Sequence, residues 1–351
     1  MNVGRLVALV ALTLAATRAA SPQGTPALVI RVLERTTQQP LPNAEVIDLD
    51  GGARRFTNAE GEARLGWGPT GRLRLRVRQL GFQFVEQDVT RSTSQAGAGD
   101  TLVVTLGRVA YTLPEVATKE TGCSPDADSV TKALSVVALS QLSMGAERYD
   151  AFRKAYPFQI RQKRRTVRFN PDGTAREVRE SSEEATSKEW GERYEPGKVV
   201  DRSSRGFSVP LLFLTALADP VFWRHHCFAV HGVETLGQDR VLRLTFVPVP
   251  MVAEPDWMGT AFVDSATSML RRVEFQIAGL RDDDVPRRLE GFTTFRSPSP
   301  FIVVPDSTVA MWWRREASTY TNGWKGPDVV QLLQLQSVTY RKATPPTDVR
   351  R

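Results

Sequence analysis

The sequence predicts a mainly β protein in two domains, a small β domain and then a curved antiparallel sheet wrapped on one capping helix. Three observations predict it. Residues 28–106 alternate apolar and polar side chains in short runs separated by turn residues. A helix start follows Cys123, with leucine, valine and alanine at helical spacing through Leu142. From Pro157 onward the period returns to two, in hairpins.

The chain opens with Arg5, the apolar run Leu6 to Ala16, and small residues through Ala20. This is the pattern of a secretory signal peptide over residues 1–20, with cleavage expected after Ala19 or Ala20. The run is shorter than the roughly 20 residues that span a bilayer. Loss of Arg5 and Arg18 would lower the formal charge from +7 to +5. That mild excess suits solubility or an anionic surface and falls short of the clustered footprint of a nucleic-acid binder. The length predicts about two domains, and 41% hydrophobic residues with seven tryptophans can fill both cores.

In the first domain Leu28 to Leu33 alternates, and Pro40 and Pro42 flank Leu41. Proline lacks an N–H, so this pair marks a turn or a strand edge. Asn58-Ala59-Glu60-Gly61 is a turn between strand-like runs. Arg72 to Arg78 alternates strictly, which puts Leu73, Leu75 and Val77 on a core face and four arginines in water. Ser92 to Asp100 reads as a loop before a last strand, Thr101 to Leu106. The runs 28–33, 39–46, 57–65 and 73–82, in that order and spacing, resemble the carboxypeptidase regulatory-like domain. The resemblance implies a transthyretin-like β-sandwich over residues 26–108 of an exported protein, and no reaction. Residues 109–122 would be a linker. Its Leu113-Pro114-Glu115-Val116 looks like the tail that follows this domain in outer-membrane receptors, but no barrel-length set of strands follows.

The second domain is expected over residues 123–343, with a disordered tail over 344–351. Ser124-Pro125-Asp126 is a helix start, with a capping serine, proline at the first position and acid in the first turn. Asn170-Pro171-Asp172-Gly173 is a hairpin turn. Later strands are expected at 228–234, 241–247, 259–263, 270–278, 289–295, 307–314 and 330–340. One helix and a long meander give a curved, half-barrel-like sheet. The hairpin Gly259 to Thr267 and Leu270 to Phe275 is similar to one in LolA-type lipoprotein carriers. Cys123, His226-Cys227-Phe228 and that hairpin together resemble uncharacterised bacterial exported proteins.

The two cysteines, Cys123 and Cys227, form an even pair, which in an oxidising compartment is expected as a disulfide. Closing a loop on the order of 100 residues stabilises by about 4–5 kcal/mol in the chain-entropy picture. All three histidines fall within His225 to His231. On a strand, His225, Cys227 and His231 would share a face and could hold zinc, but the disulfide would consume Cys227. His231 and Glu234 have metallocarboxypeptidase spacing, but no histidine follows 231. Asp282-Asp283-Asp284 lacks EF-hand spacing and reads as an exposed loop.

Arg161 to Arg168 is strongly basic. A polyanion could bind it, but pairing against Glu177, Glu180, Glu183 and Glu184 across the hairpin is simpler. No serine-hydrolase elbow, phosphate loop or dinucleotide fingerprint is present, so no cofactor is implied.

The reading is a non-catalytic, exported cell-envelope protein, periplasmic or at the outer-membrane periphery, that binds an amphiphilic, lipid-like ligand or a partner protein. Candidate lining residues are Phe246, Phe262, Phe275 and Trp312. Period two places each on one of two faces without saying which is concave. The competing expectation is that the helix fills the concavity. The alternative function is a metal-dependent hydrolase using His225, His231 and Glu234.

Overall fold

The computed structural model describes residues 27–91, 101–109, 129–188, 194–203, 206–280, 286–300, 302–314 and 325–341. The expected signal peptide, Cys123, the Ser124 helix start, Asp282 to Asp284 and the tail lie outside the described residues.

The first domain is a two-sheet sandwich. Strands β1 (Ala27–Glu34), β4 (Glu62–Gly66) and β7 (Thr101–Leu106) form one sheet in the order β4-β1-β7. Strands β2 (Glu45–Asp48), β3 (Arg54–Phe56), β5 (Arg72–Arg78) and β6 (Val85–Thr90) form the other, in the order β3-β2-β5-β6. The alternating positions meet between the sheets. Ile30 and Val32 from β1, and Leu73, Leu75 and Val77 from β5, are buried together. Each such side chain contributes about 1.5–3 kcal/mol by leaving water. The turn predicted at 58–61 forms with Gly61 at φ +73°, where an added Cβ would lie 2.6 Å from the Val32 carbonyl oxygen. Thr57 Oγ1 accepts from the Ala44 N–H at 2.8 Å and donates to the Leu41 carbonyl at 2.6 Å, tying down the chain beyond the two prolines.

The second domain begins with α1 (Ser129–Ala155), followed by β8 (Phe158–Phe169) and β9 (Ala175–Thr186). After two short strands, β10 (Asp201–Ser203) and β11 (Gly206–Ser208), come the small helices α2 (Leu214–Leu217) and α3 (Pro220–His225). The meander is β12 (His226–Leu236), β13 (Asp239–Pro248), β14 (Asp256–Asp264), β15 (Leu270–Ala278), β16 (Arg288–Ser299), β17 (Ile302–Trp313) and β18 (Val329–Tyr340). It continues through β8 and β9 into one open, curved, nine-stranded antiparallel sheet. The hairpin between β8 and β9 forms as its sequence predicts, with Arg161–Glu184, Lys163–Glu180, Arg164–Glu183 and Arg168–Glu177 ion pairs. The basic strand is therefore largely neutralised by its neighbour.

Helix α1 lies in the concavity of the sheet. Its Leu134, Ala138, Leu142, Tyr149 and Phe152 belong to the same buried cluster as Phe246, Val273 and Phe295 of the strands. It runs beyond Leu142 because Met144, Tyr149 and Phe152 are buried along its second half. The same helix also docks the sandwich. Gln141 accepts from the Gly81 N–H at 2.8 Å and donates to the Phe82 carbonyl at 3.2 Å. Arg148 donates to the Asn43 carbonyl at 2.6 Å, and Phe152 meets Phe56 edge-on at 5.1 Å. This contact corrects one expectation. Arg78 is not in water with Arg72 and Arg74 but is buried, between Glu45 at 2.6 Å and Glu147 of α1 at 2.8 Å. The alternation placed it on the outer face of β5, and α1 covers that end of the face.

Candidate functional site: a cavity on the concave face

Strand register decides which side chains face α1. One row runs across the sheet as Phe246, Gly259, Phe275, Gly291, Ala310 and Gln331. Phe275 stands between two glycines. A Cβ on Gly259 would lie 2.0 Å from the Glu274 carbonyl oxygen, and one on Gly291 would lie 3.0 Å from Phe275 Cζ. Gly291 leaves room for the Phe275 ring, and Gly259 lets the β15 backbone approach closely.

Next to this row α1 does not fill the concavity. A cavity of about 240 Å³ remains between the sheet and the segment 209–212. Trp257, Phe275, Leu289 and Leu211 supply apolar wall, while Gln162, Arg164, Glu183 and Gln331 supply polar groups on the β18–β8–β9 side. Trp312 and Ala310 of β17 lie between the two sets in strand order. Arg164 Nη2 donates to Glu183 at 2.7 Å. Arg164 Nε and Trp312 Nε1 are buried and make no hydrogen bond to the protein.

The four sequence candidates separate. Phe275 and Trp312 line the cavity. Phe246 is on the concave side but fully buried, in edge contact with Phe222 at 5.6 Å, so it is core. Phe262 lies on the opposite face of the sheet, where it is nonetheless buried. Its neighbours in β14, Ala261 and Val263, belong to the core cluster, and its cross-strand partners are Arg243 and Arg272. Segment 209–212, Arg164 and Gln331 were not singled out as lining residues. The first carries a weak signal, the apolar run Val209-Pro210-Leu211-Leu212-Phe213 with no strand period. The polar ones carry none, because alternation is satisfied on either face.

The histidine region departs from the expected strand. His225 ends α3 instead of standing in β12, so it does not share a strand face with Cys227 and His231. Asp219 caps that helix by accepting from the Val221 N–H at 2.7 Å, with Pro220 at its first position. His225 Nδ1 contacts the Val221 carbonyl at 2.8 Å. Pairing in β12 shifts between Val230 and Val233, and His231 Nε2 bonds Thr245 Oγ1 at 2.8 Å. Glu234 stands 4.0 Å from Arg243. Among the described residues no three His, Cys, Asp or Glu side chains gather as a metal site.

His226 is buried, stacked on Phe222 at 3.7 Å, with its ring nitrogens against the Phe222 and Trp257 carbonyls at 3.0 and 2.8 Å. Burial pushes its imidazole below the ordinary range, against the pull of Asp256. Burial likewise raises the Asp256 carboxyl, which accepts from Tyr194 Oη–H and from the Trp257 N–H. Both side chains are fully enclosed, so they hold α3 to β14 and do not present a reactive group. Cys227 is disulfide-bonded, and no described cysteine is free. Its expected partner, Cys123, lies outside the described residues. No described helix is long and apolar enough to cross a membrane.

No protein-family model matches the chain, so the resemblance of the first domain to the carboxypeptidase regulatory-like family rests on its own residues. No curated protein matches it either. Among solved structures the chain is similar to a DUF1329 family protein from Desulfovibrio piger, at 10% identity over 59% of this chain and 95% of that one, with a TM-score of 0.31. It is similar to a LolA superfamily protein from Nitrosomonas europaea, at 12% identity over 58% of this chain and 94% of that one, with a TM-score of 0.28. A third likeness is to a Vibrio parahaemolyticus domain described as an outer membrane lipoprotein-sorting protein, at 11% identity over 58% of this chain and 95% of that one, with a TM-score of 0.29. At these identities and scores the likenesses carry no argument about function.

Proposed function

We propose that the protein is a non-catalytic, exported cell-envelope binding protein that holds an amphiphilic, lipid-like ligand on the concave face of its second domain. The observation that carries this reading is the cavity of about 240 Å³ that α1 leaves open, with apolar wall on one side and polar groups on the other. An apolar pocket with a few placed polar groups is the usual form of a small-molecule site. Export is supported by the signal-peptide pattern of residues 1–20. The Cys123–Cys227 bridge belongs to the same proposal, and non-reducing peptide mapping tests it: Cys123 and Cys227 in separate peptides would end it.

Native mass spectrometry of the protein purified from the envelope tests the binding. The reading expects one small amphiphile per chain, lost in the Ala310→Leu variant, whose added side chain occupies the cavity. A ligand that stays bound in folded Ala310→Leu would place the site elsewhere. A partner protein that co-purifies without any small molecule would favour an interaction module.

A further inference from the structure

We propose that two copies of this chain pair through strand β9, antiparallel and about a twofold axis at Val178, so that their nine-stranded sheets join edge to edge. The inference does not depend on the cavity and concerns the edge of the sheet beside it.

β9 is the last strand of the sheet, with β8 on one side and no described strand on the other. Backbone direction alternates along a strand, so half of its N–H and C=O groups face away from β8. The ladder shows which half. The Phe158 carbonyl accepts from the Ser187 N–H at 2.9 Å, whereas the Pro157 carbonyl accepts from the Arg341 N–H on the other side. The even-numbered residues of β8 therefore turn their backbone groups to β9. Their partners in register are odd-numbered, from Glu177 opposite Arg168 to Ala185 opposite Ile160. That leaves Val178, Glu180, Ser182 and Glu184 with N–H and C=O groups turned to solvent. Such an edge is a template for another strand.

Charge decides which strand. Charged residues usually guard a free edge against pairing, but here their signs match under a twofold axis. With Val178 opposite its own copy, Arg176 stands opposite Glu180 of the other copy, and Glu177 opposite Arg179. Unlike charges then meet on both sides of the axis, and Val178, 50% exposed in the single chain, packs against itself. Neighbouring registers do worse. An axis at Glu177, Arg179 or Glu180 sets that residue against its own charge, and one at Ser181 sets Val178 against Glu184. Arg176 makes no ion pair with a described residue. It adds to the burial and the Arg168 charge that push the Arg314 guanidinium down. A carboxylate arriving from the other copy offsets this excess of cations. The axis stands perpendicular to the sheet, so both concave faces lie on the same side of the joined sheet.

The contact is short, because β9 begins at Ala175 and its pairing with β8 is irregular beside Arg176. Small interfaces are weak, so dimerisation in the range of about 10–100 μM is expected.

Sedimentation velocity of the full chain, from about 1 μM to about 500 μM, tests this. The expected result is a reversible monomer–dimer equilibrium. Val178→Pro removes an N–H that faces solvent, so far-ultraviolet circular dichroism should stay native while the dimer weakens roughly tenfold or more. Arg176→Glu or Glu180→Arg alone should weaken it to a similar degree. Together they exchange the charges and should restore pairing to within about threefold of the wild type. Monomer at every concentration would overturn the proposal and leave this edge to a strand of another protein. A dimer that persists in folded Val178→Pro, or a charge exchange that fails to restore pairing, would overturn it as well.

Discussion

Asp264 shows how much one side chain can hold at the end of a strand. Burial alone would raise its carboxyl, but Arg271 at 2.8 Å and the N–H groups of Ala266 and Thr267 at 3.0 and 2.8 Å keep it below the ordinary carboxylate range. A depressed carboxyl stabilises the fold above its unfolded pKa, and that stabilisation is lost as pH falls through the folded value. Asp264→Asn should therefore cost about 1–3 kcal/mol at neutral pH and flatten the acid limb of stability against pH, read by urea unfolding between neutral pH and about pH 3. Equal slopes for the two proteins on that limb would contradict the assignment. At this scale the sequence was legible where a local pattern forces a role, as in the Asn58 to Gly61 turn. It was silent where a distant element decides. Nothing near Arg78 says that α1 will bury it against Glu45 and Glu147. The split between Phe262 and Phe275 needed the register of β14 and β15, because period two fixes alternation and leaves the sign open.

At the scale of elements, α1 is the piece on which both domains depend. It packs the concave face of the sheet on one side and the sandwich on the other. Arg148 is buried deeply enough that its guanidinium falls to about 10, drawn back by the charge of Glu45. Arg148→Met should destabilise the protein by about 1–3 kcal/mol, because it takes the donor from the Asn43 carbonyl and Gln79 Oε1, while Glu45 keeps Arg78 and Arg54. Glu45→Gln should cost less beside Arg148→Met than in the wild type, the difference being the Arg148–Glu45 attraction, which a double-mutant cycle by chemical denaturation measures. Additive effects would show that the two groups do not couple. Strands long enough to alternate were legible within a few residues of their ends. The short helices α2 and α3 were not, since four and six residues show no helical period. Missing α3 is what put His225 on a strand and made the zinc face conceivable.

At the scale of the molecule, the sandwich and the curved sheet both pack on α1. Gly81, at φ +82°, lies so close to the 264–268 turn that an added Cβ would be 2.2 Å from the Ala266 carbonyl oxygen. Gly81→Ala should loosen the docking of the sandwich and lower the thermal midpoint, with calorimetry expected to show one cooperative transition in the wild type. Two well-separated wild-type transitions would contradict a shared core element. A fragment ending near Leu106 should still form its own sandwich core, but with lower stability than in the full chain, since its Glu45–Arg78 face loses α1.

The central claim is that the concavity, though occupied by α1 for most of its length, keeps a cavity that binds a lipid-like ligand. Titration of the full chain with a fluorescent acyl probe tests it most directly. The account predicts saturable binding that Ala310→Leu abolishes while near-ultraviolet circular dichroism stays native, and that Phe262→Tyr, on the opposite face of the sheet, leaves unchanged. No saturable binding to the folded wild type would contradict it.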